Sequence, residues 1–88
     1  MWKAKPSNRF RSSYKKLSDE MAQRVDSALV SLLSSEKPER LGIAKTASRK
    51  GYFAYEIGKS CRIIYRPDYN QNIVEFLRVC SHKQAYNP

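Results

Sequence analysis

The sequence predicts an α+β domain, with two N-terminal helices packed on one face of a small twisted antiparallel sheet in the order β-α-α-β-β-β. Three observations lead there. An apolar repeat at three- and four-residue steps runs through 18–35, the signature of an amphipathic helix. Aromatic and β-branched runs fill 52–80 and suit strands. The 88 residues are too few to divide into two cores, so 1–88 reads as one domain with two layers.

The elements follow in chain order. Residues 1–5 suit a short edge strand closed by Pro6, because proline donates no ladder hydrogen bond. Residues 8–17 read as a short basic helix with Phe10, Tyr14 and Leu17 on one face. Ser18 has the side chain of an N-cap, and Asp19 and Glu20 follow where a helix favours negative charge. Met21, Ala22, Val25, Ala28, Leu29, Leu32 and Leu33 then form the core stripe, until Ser34, Ser35 and Pro38 end the helix. Beyond it lie strands over 52–57, 61–65 and 73–80. Gly58-Lys59 makes a hairpin turn, Pro67 stops the second strand, and 68–72 form a polar loop. The third strand is largely apolar and is expected to be central.

Charge narrows the function. Seventeen Lys and Arg against eight Asp and Glu give a net +9. Lys3, Lys5, Arg9, Arg11, Lys15 and Lys16 crowd the first 16 residues without an acid, and Lys37, Arg40, Lys45, Arg49 and Lys50 form a second cluster beside Glu39. Such an excess attracts polyanions, nucleic acid foremost. No run approaches the roughly 20 apolar residues of a membrane span, and the start of the chain has no signal-peptide core, so a cytoplasmic protein without membrane contact is expected. Cys61 and Cys80 lie in apolar runs and read as free buried thiols. One His and two Cys without paired spacing make no metal site, and no cofactor is expected.

Strand alternation isolates one residue. Ile63 and Tyr65 must face opposite to Arg62 and Ile64, and an arginine buried in the core would be costly. Arg62 therefore belongs on the sheet face without helices. There it either meets an anionic ligand or forms a surface ion pair with Glu56 or Glu75.

The run Gly51-Tyr52-Phe53-Ala54-Tyr55-Glu56-Ile57-Gly58, followed by Cys61-Arg62-Ile63-Ile64-Tyr65, resembles the RelE/ParE toxin superfamily. So do the closing His82-Lys83-Gln84-Ala85-Tyr86, the upstream Tyr14-Lys15-Lys16-Leu17 and the long amphipathic helix, and the likeness spans about 2–86. It implies two helices backing a twisted antiparallel sheet, and a toxin neutralised by a cognate antitoxin. Members resembling RelE cut mRNA in the ribosomal A site; members resembling ParE inhibit DNA gyrase. Carried over, Arg62 contacts the scissile phosphate, Lys83 adds positive charge, His82 transfers protons, and Tyr86 stacks on or orients a nucleotide. Lys15, Lys16, Lys45, Arg49, Lys50 and Arg78 would bind nucleic acid. The chain departs from the family where Ala54 and Glu56 replace frequent arginines and where Lys83 replaces the tail arginine, losing its bidentate fork.

The implied chemistry suits these residues. A deprotonated RNA 2′-OH attacks the adjacent phosphorus, leaving a 2′,3′-cyclic phosphate and a free 5′-OH. Cations stabilise the phosphorane, and an imidazole titrating near neutrality moves protons without a metal. The expected function is a ribosome-dependent, metal-independent endoribonuclease, an mRNA interferase whose partners are mRNA, the ribosome and an antitoxin. The alternatives are a catalytically weak RNA- or ribosome-binding module and a ParE-like gyrase inhibitor. A lone tail histidine is also compatible with a solvated side chain, and Tyr86 with simple packing.

Overall fold

Both helices begin on serine caps. A computed structural model describes residues 1–44, 51–58 and 61–80. In it Ser7 accepts from the Phe10 N–H at 3.0 Å and opens α1 (Asn8–Lys15). Ser18 accepts from the Met21 N–H at 3.2 Å and opens α2 (Asp19–Ser34), whose first turn carries Asp19 and Glu20 as expected. Each cap satisfies one of the amide donors that a helix start leaves without a partner. Phe10 is the buried residue of α1, and Val25, Ala28 and Leu32 are those of α2, with Met21, Leu29 and Leu33 packed at their margin.

Five strands form one sheet in the order β1-β5-β4-β3-β2. They are β1 (Lys3–Pro6), β2 (Ile43–Ala44), β3 (Phe53–Ile57), β4 (Cys61–Asp68) and β5 (Ile73–Val79). The predicted two-layer class holds, with two additions and a difference in direction. A 3-10 turn (Pro38–Leu41) and the two-residue β2 follow α2, and both are too short to show a periodicity. Strand β1 pairs parallel to β5, so the sheet is mostly rather than wholly antiparallel. Trp2 pins that arrangement, its backbone N–H donating to Leu33 O at 3.0 Å and its indole Nε1–H to Ser35 O at 2.8 Å. Strand β5 lies between β1 and β4, an interior position that explains its apolar sequence.

The end of β4 moved. Strand β4 runs through Pro67 to Asp68, because β3 pairs with it only as far as Tyr65. Beyond that residue β4 has a partner on one side, and a missing N–H is tolerated where no ladder needs it. Asp68 then accepts from the Asn70 and Gln71 N–H groups at 3.0 and 3.3 Å, and Asn72 takes a left-handed φ of 60° in the turn to β5. Gly58 sits at φ 68° where the hairpin was expected, a conformation glycine adopts without steric cost; Lys59 lies outside the described residues.

The core fills the space between helices and sheet. Trp2, Phe10, Val25, Leu32, Ile63, Tyr65, Val74, Phe76 and Val79 are all buried there. Burying each such large side chain stabilises the fold by roughly 1.5–3 kcal/mol. Tyr65 brings a polar tip into this core and satisfies it by donating to Pro38 O at 2.7 Å. Burial first, then the negative charge of Glu39 and then Tyr55, raise its phenol well above the ordinary value. Gly42 is required next to it, since a Cβ there would stand 2.5 Å from Tyr65 Oη and 2.7 Å from Ala54 O.

One expectation is corrected. Cys61 and Cys80 are buried but are not free thiols; they form a disulfide, with Cα atoms 4.1 Å apart. Their separation of 19 residues carries no pairing pattern in the sequence. They meet because the start of β4 and the end of β5 lie side by side, where Cys80 donates its N–H to Arg62 O at 2.9 Å and takes a φ of 55°. Among the described residues, no helix is long and apolar enough to cross a membrane.

Candidate nucleic-acid interface

The helices cover one face of the sheet, and alternation assigns the other. Ile63 and Tyr65 join the helix-side core, so Arg62, Ile64 and Arg66 point to the side without helices, where Ile64 and its partner Ala54 are nonetheless buried. Their cross-strand partners share that side: Glu56 opposite Arg62, Ala54 opposite Ile64, and Glu75 opposite Arg66. Parallel pairing adds Lys5 beside Glu75.

Arg78 reaches this face only through an irregularity. Strict alternation along β5 would put Arg78 with Val74 and Phe76, pointing into the core. The β4–β5 register instead shifts between Ile64 and Tyr65, so that Tyr65 pairs with Phe76 but Ile64 pairs with Arg78. Leu77 is the extra residue, and the bulge turns Arg78 to the open side while keeping Val79 in the core. Bulges often re-aim side chains in this way.

The electrostatics of the face are more balanced than the net charge suggests. Arg62 Nη2 lies 3.1 Å from Glu56 Oε2, with 36% and 50% of the two side chains exposed. Of the two sequence readings of Arg62, the surface ion pair is the one seen here, with Glu56 as its partner. Glu75 pairs instead with Arg66, whose Nε and Nη2 lie 3.1 and 3.0 Å from Oε1. That hydrogen bond is the first cause raising the Arg66 pKa above its usual value. The Arg66 guanidinium also lies 5.7 Å from the centroid of the Tyr52 ring, within cation–π range.

Of the sequence-predicted site residues, Arg62 and Arg78 are brought together on adjacent strands of the open face. Lys15 and Lys16 are exposed at the end of α1, in the helical layer and away from that face. His82, Lys83 and Tyr86, with Lys45, Arg49 and Lys50, lie outside the described residues. Sequence reasoning offered Glu75 only as an alternative partner of Arg62, and missed Lys5, Tyr52 and Arg66 as members of the face. Had β4 been extended past Tyr65, the even spacing of Arg62 and Arg66 would have placed both on one side.

The helical layer has a groove of its own. Pro6, Phe10, Arg11, Tyr14, Lys15 and Leu29 line an apolar cleft of about 330 Å³ between α1 and α2. Tyr14 closes one side by donating to Asp26 Oδ1 at 2.8 Å, and that bond, followed by desolvation, raises its phenol pKa.

A family model described as the ParE toxin of type II toxin–antitoxin systems, parDE, matches residues 4–86. The chain belongs to this family, within the RelE/ParE toxin superfamily. Solved structures agree on the toxin fold. The toxin–antitoxin complex RelBE2 from Mycobacterium tuberculosis contains a chain with 27% identity and TM-score 0.77, covering 89% of this chain and 94% of that one. The intact E. coli RelBE complex matches at 18% identity and TM-score 0.75, covering 90% and 94%. The YoeB–YefM complex from Staphylococcus aureus matches at 18% identity and TM-score 0.73, again covering 90% and 94%. Comparison with curated protein sequences gave no match.

Proposed function

We propose that this toxin is an mRNA interferase, which cleaves mRNA on the ribosome by attack of a 2′-OH on the adjacent phosphate. The observation that carries the reading is the placement of Arg62 and Arg78 on adjacent strands of the sheet face without helices, diagonal to one another in the ladder, with Arg78 turned there by a bulge. Two guanidiniums on neighbouring strands are a cradle for a phosphate that gains charge in the transition state. Arg62 would exchange its exposed pairing with Glu56, worth at most about 1 kcal/mol, for the scissile phosphate. The bonds from Cys80 to Arg62 and Cys61 anchor the chain beside Arg62 just before the tail that carries His82, Lys83 and Tyr86. In this reading His82 moves the proton, Lys83 adds charge, and Tyr86 stacks on or orients the nucleotide. Lys15, Lys16, Lys45, Arg49 and Lys50 hold the ribosome or its RNA, and a cognate antitoxin neutralises the toxin in the cytoplasm. No step requires a metal.

A second reading has its own support. The matching family model carries the ParE name, and Glu56 neutralises Arg62 where the nuclease pattern has a frequent arginine. A gyrase inhibitor needs neither a phosphate cradle nor a proton-transfer group. The experiment is primer extension on mRNA from a translating system given the purified toxin, run beside a gyrase supercoiling assay. The nuclease predicts codon-spaced cuts that depend on ribosomes, with supercoiling untouched. Intact mRNA with blocked supercoiling would replace it by the gyrase reading. Intact mRNA with the protein bound to ribosomes would leave a binding module.

A further inference from the structure

The disulfide sits where the chain leaves the sheet. Cys61 opens β4 one residue before Arg62, and Cys80 follows the last residue of β5. Beyond the bridge the sequence reaches His82, Lys83 and Tyr86 within six residues. Cys80 is held twice, by the bond to Cys61 and by its N–H, which donates to Arg62 O at 2.9 Å. It also takes a φ of 55°, in the left-handed region that residues with a Cβ rarely adopt. The other non-glycine residue with positive φ among those described is Asn72, whose residue type is enriched there several-fold. We infer that Cys61 and Cys80 are a redox site: the bridge holds the Cys80 backbone left-handed, which sets the direction in which the tail leaves Arg62, and a thiol reductant releases it. The inference rests on the mRNA-cleaving reading above.

The reaction is thiol–disulfide exchange. A thiolate of a dithiol reductant attacks one sulfur of the bridge, the Sγ–Sγ bond breaks, and a mixed disulfide forms. The reductant's second thiol then displaces the protein sulfur. The reductant leaves as a disulfide, and two electrons and two protons end on Cys61 and Cys80 as two thiols. Cys80 is 9% exposed and Cys61 2%, so the attack falls on Cys80 Sγ and Cys61 is the first leaving group. Reduction leaves the fold in place. The bridge joins strands that already pair from Ile63↔Val79 to Asp68↔Ile73, over a core that includes Val25, Leu32, Tyr65 and Phe76. Its own contribution lies beyond the last ladder pair, at Cys80, where one hydrogen bond remains once the bridge opens. Cys80 then relaxes toward the negative φ that ordinary residues prefer, and a rotation about that single bond redirects every residue after it relative to Arg62. A staple serving stability alone would need no left-handed cysteine at the point where the chain leaves the sheet. The cytoplasm's reducing thiols supply the other half of the couple, so the toxin is restrained in a reducing cell and strengthened by oxidation.

The test compares oxidised and reduced toxin, each verified by thiol alkylation and intact mass, in single-turnover mRNA cleavage on saturated ribosomes and in NMR of the free protein. Reduction should slow cleavage about ten-fold or more, since a misplacement of about 1 Å can cost about 100-fold. Circular dichroism and ribosome affinity should stay unchanged, and reoxidation should restore the rate. In the NMR spectra the coupling between the Cys80 amide proton and Hα should rise on reduction, as φ leaves the left-handed region. Cys61→Ala with Cys80→Ala should cleave at the reduced rate and ignore reductant. Cys61→Ala with Cys80→Gly should recover part of the rate, because glycine takes a φ of 55° without steric cost. Two free thiols after oxidation, equal rates in the two folded states, a rate loss that only follows unfolding, or an unchanged Cys80 coupling would overturn the redox site. The two readings separate cleanly. A coupling that responds to reductant in a protein that cuts no mRNA removes the nuclease and leaves the redox site; cleavage indifferent to reductant does the reverse.

Discussion

Removing Arg62 should separate activity from stability. In Arg62→Ala the folded protein loses an ion pair whose members are 36% and 50% exposed. An exposed cross-strand pair of this kind contributes at most about 1 kcal/mol. Glu56 is left solvated rather than stranded, so no buried-charge penalty follows. The same side chain in the transition state is asked for much more. Loss of one preorganised charged donor slows such a step by roughly 100-fold, which corresponds to about 2.7 kcal/mol. The RNA salt slope should also flatten by about 0.7, the contribution of one neutralised phosphate on a single strand. Arg62→Lys should recover part of the rate only, since an ammonium does not reproduce the guanidinium fork. Urea unfolding and single-turnover cleavage on saturated ribosomes measure the two quantities on the same preparations. An unchanged cleavage rate in a folded Arg62→Ala protein would show that the phosphate lies elsewhere. A stability loss of about 3 kcal/mol or more, the scale of a buried charge left unpaired, would show that Arg62 is structural and that its pairing with Glu56 has been misread.

Tyr65→Phe strands the Pro38 carbonyl, which accepts the buried phenol at 2.7 Å, and should cost about 1–3 kcal/mol in urea unfolding. Because the folded phenol is raised by burial, its share of stability is complete below the unfolded pKa of about 10 and is lost as pH rises above it; thermal melts at pH 9 and 11 should show less alkaline loss for Tyr65→Phe than for the unmodified chain. Gly42→Ala should cost roughly 1–3 kcal/mol by overpacking, since its Cβ would press on Tyr65 Oη and the Ala54 carbonyl; a midpoint equal to that of the unmodified protein would mean the turn yields freely. Lys15→Gln with Lys16→Gln, both exposed at the end of α1, should weaken ribosome binding and reduce its salt slope while leaving cleavage of bound mRNA nearly unchanged. A slope that stays the same would exclude the helical layer from the contact.

Local chemistry determines much of this protein. Ser18 with Asp19 and Glu20 marked the start of α2, and the stripe from Met21 to Leu33 marked its buried face, because helix period and capping depend on neighbours a few residues apart. The same alternation put Arg62 opposite Ile63 and Tyr65, and so on the uncovered face. Tertiary structure decided what depends on register between distant segments. The parallel docking of β1 on β5 set Lys5 beside Glu75, and the bulge at Leu77 moved Arg78 from the core face to the open one. A one-residue shift reverses every side chain beyond it, and nothing within β5 encodes where its partner will demand one. The division of acids was decided there too: sequence left Arg62 a choice between Glu56 and Glu75, and the β3–β4 and β4–β5 ladders gave Glu56 to Arg62 and Glu75 to Arg66. Cys61 and Cys80 became a pair for the same reason, since only the sheet brings the start of β4 against the end of β5.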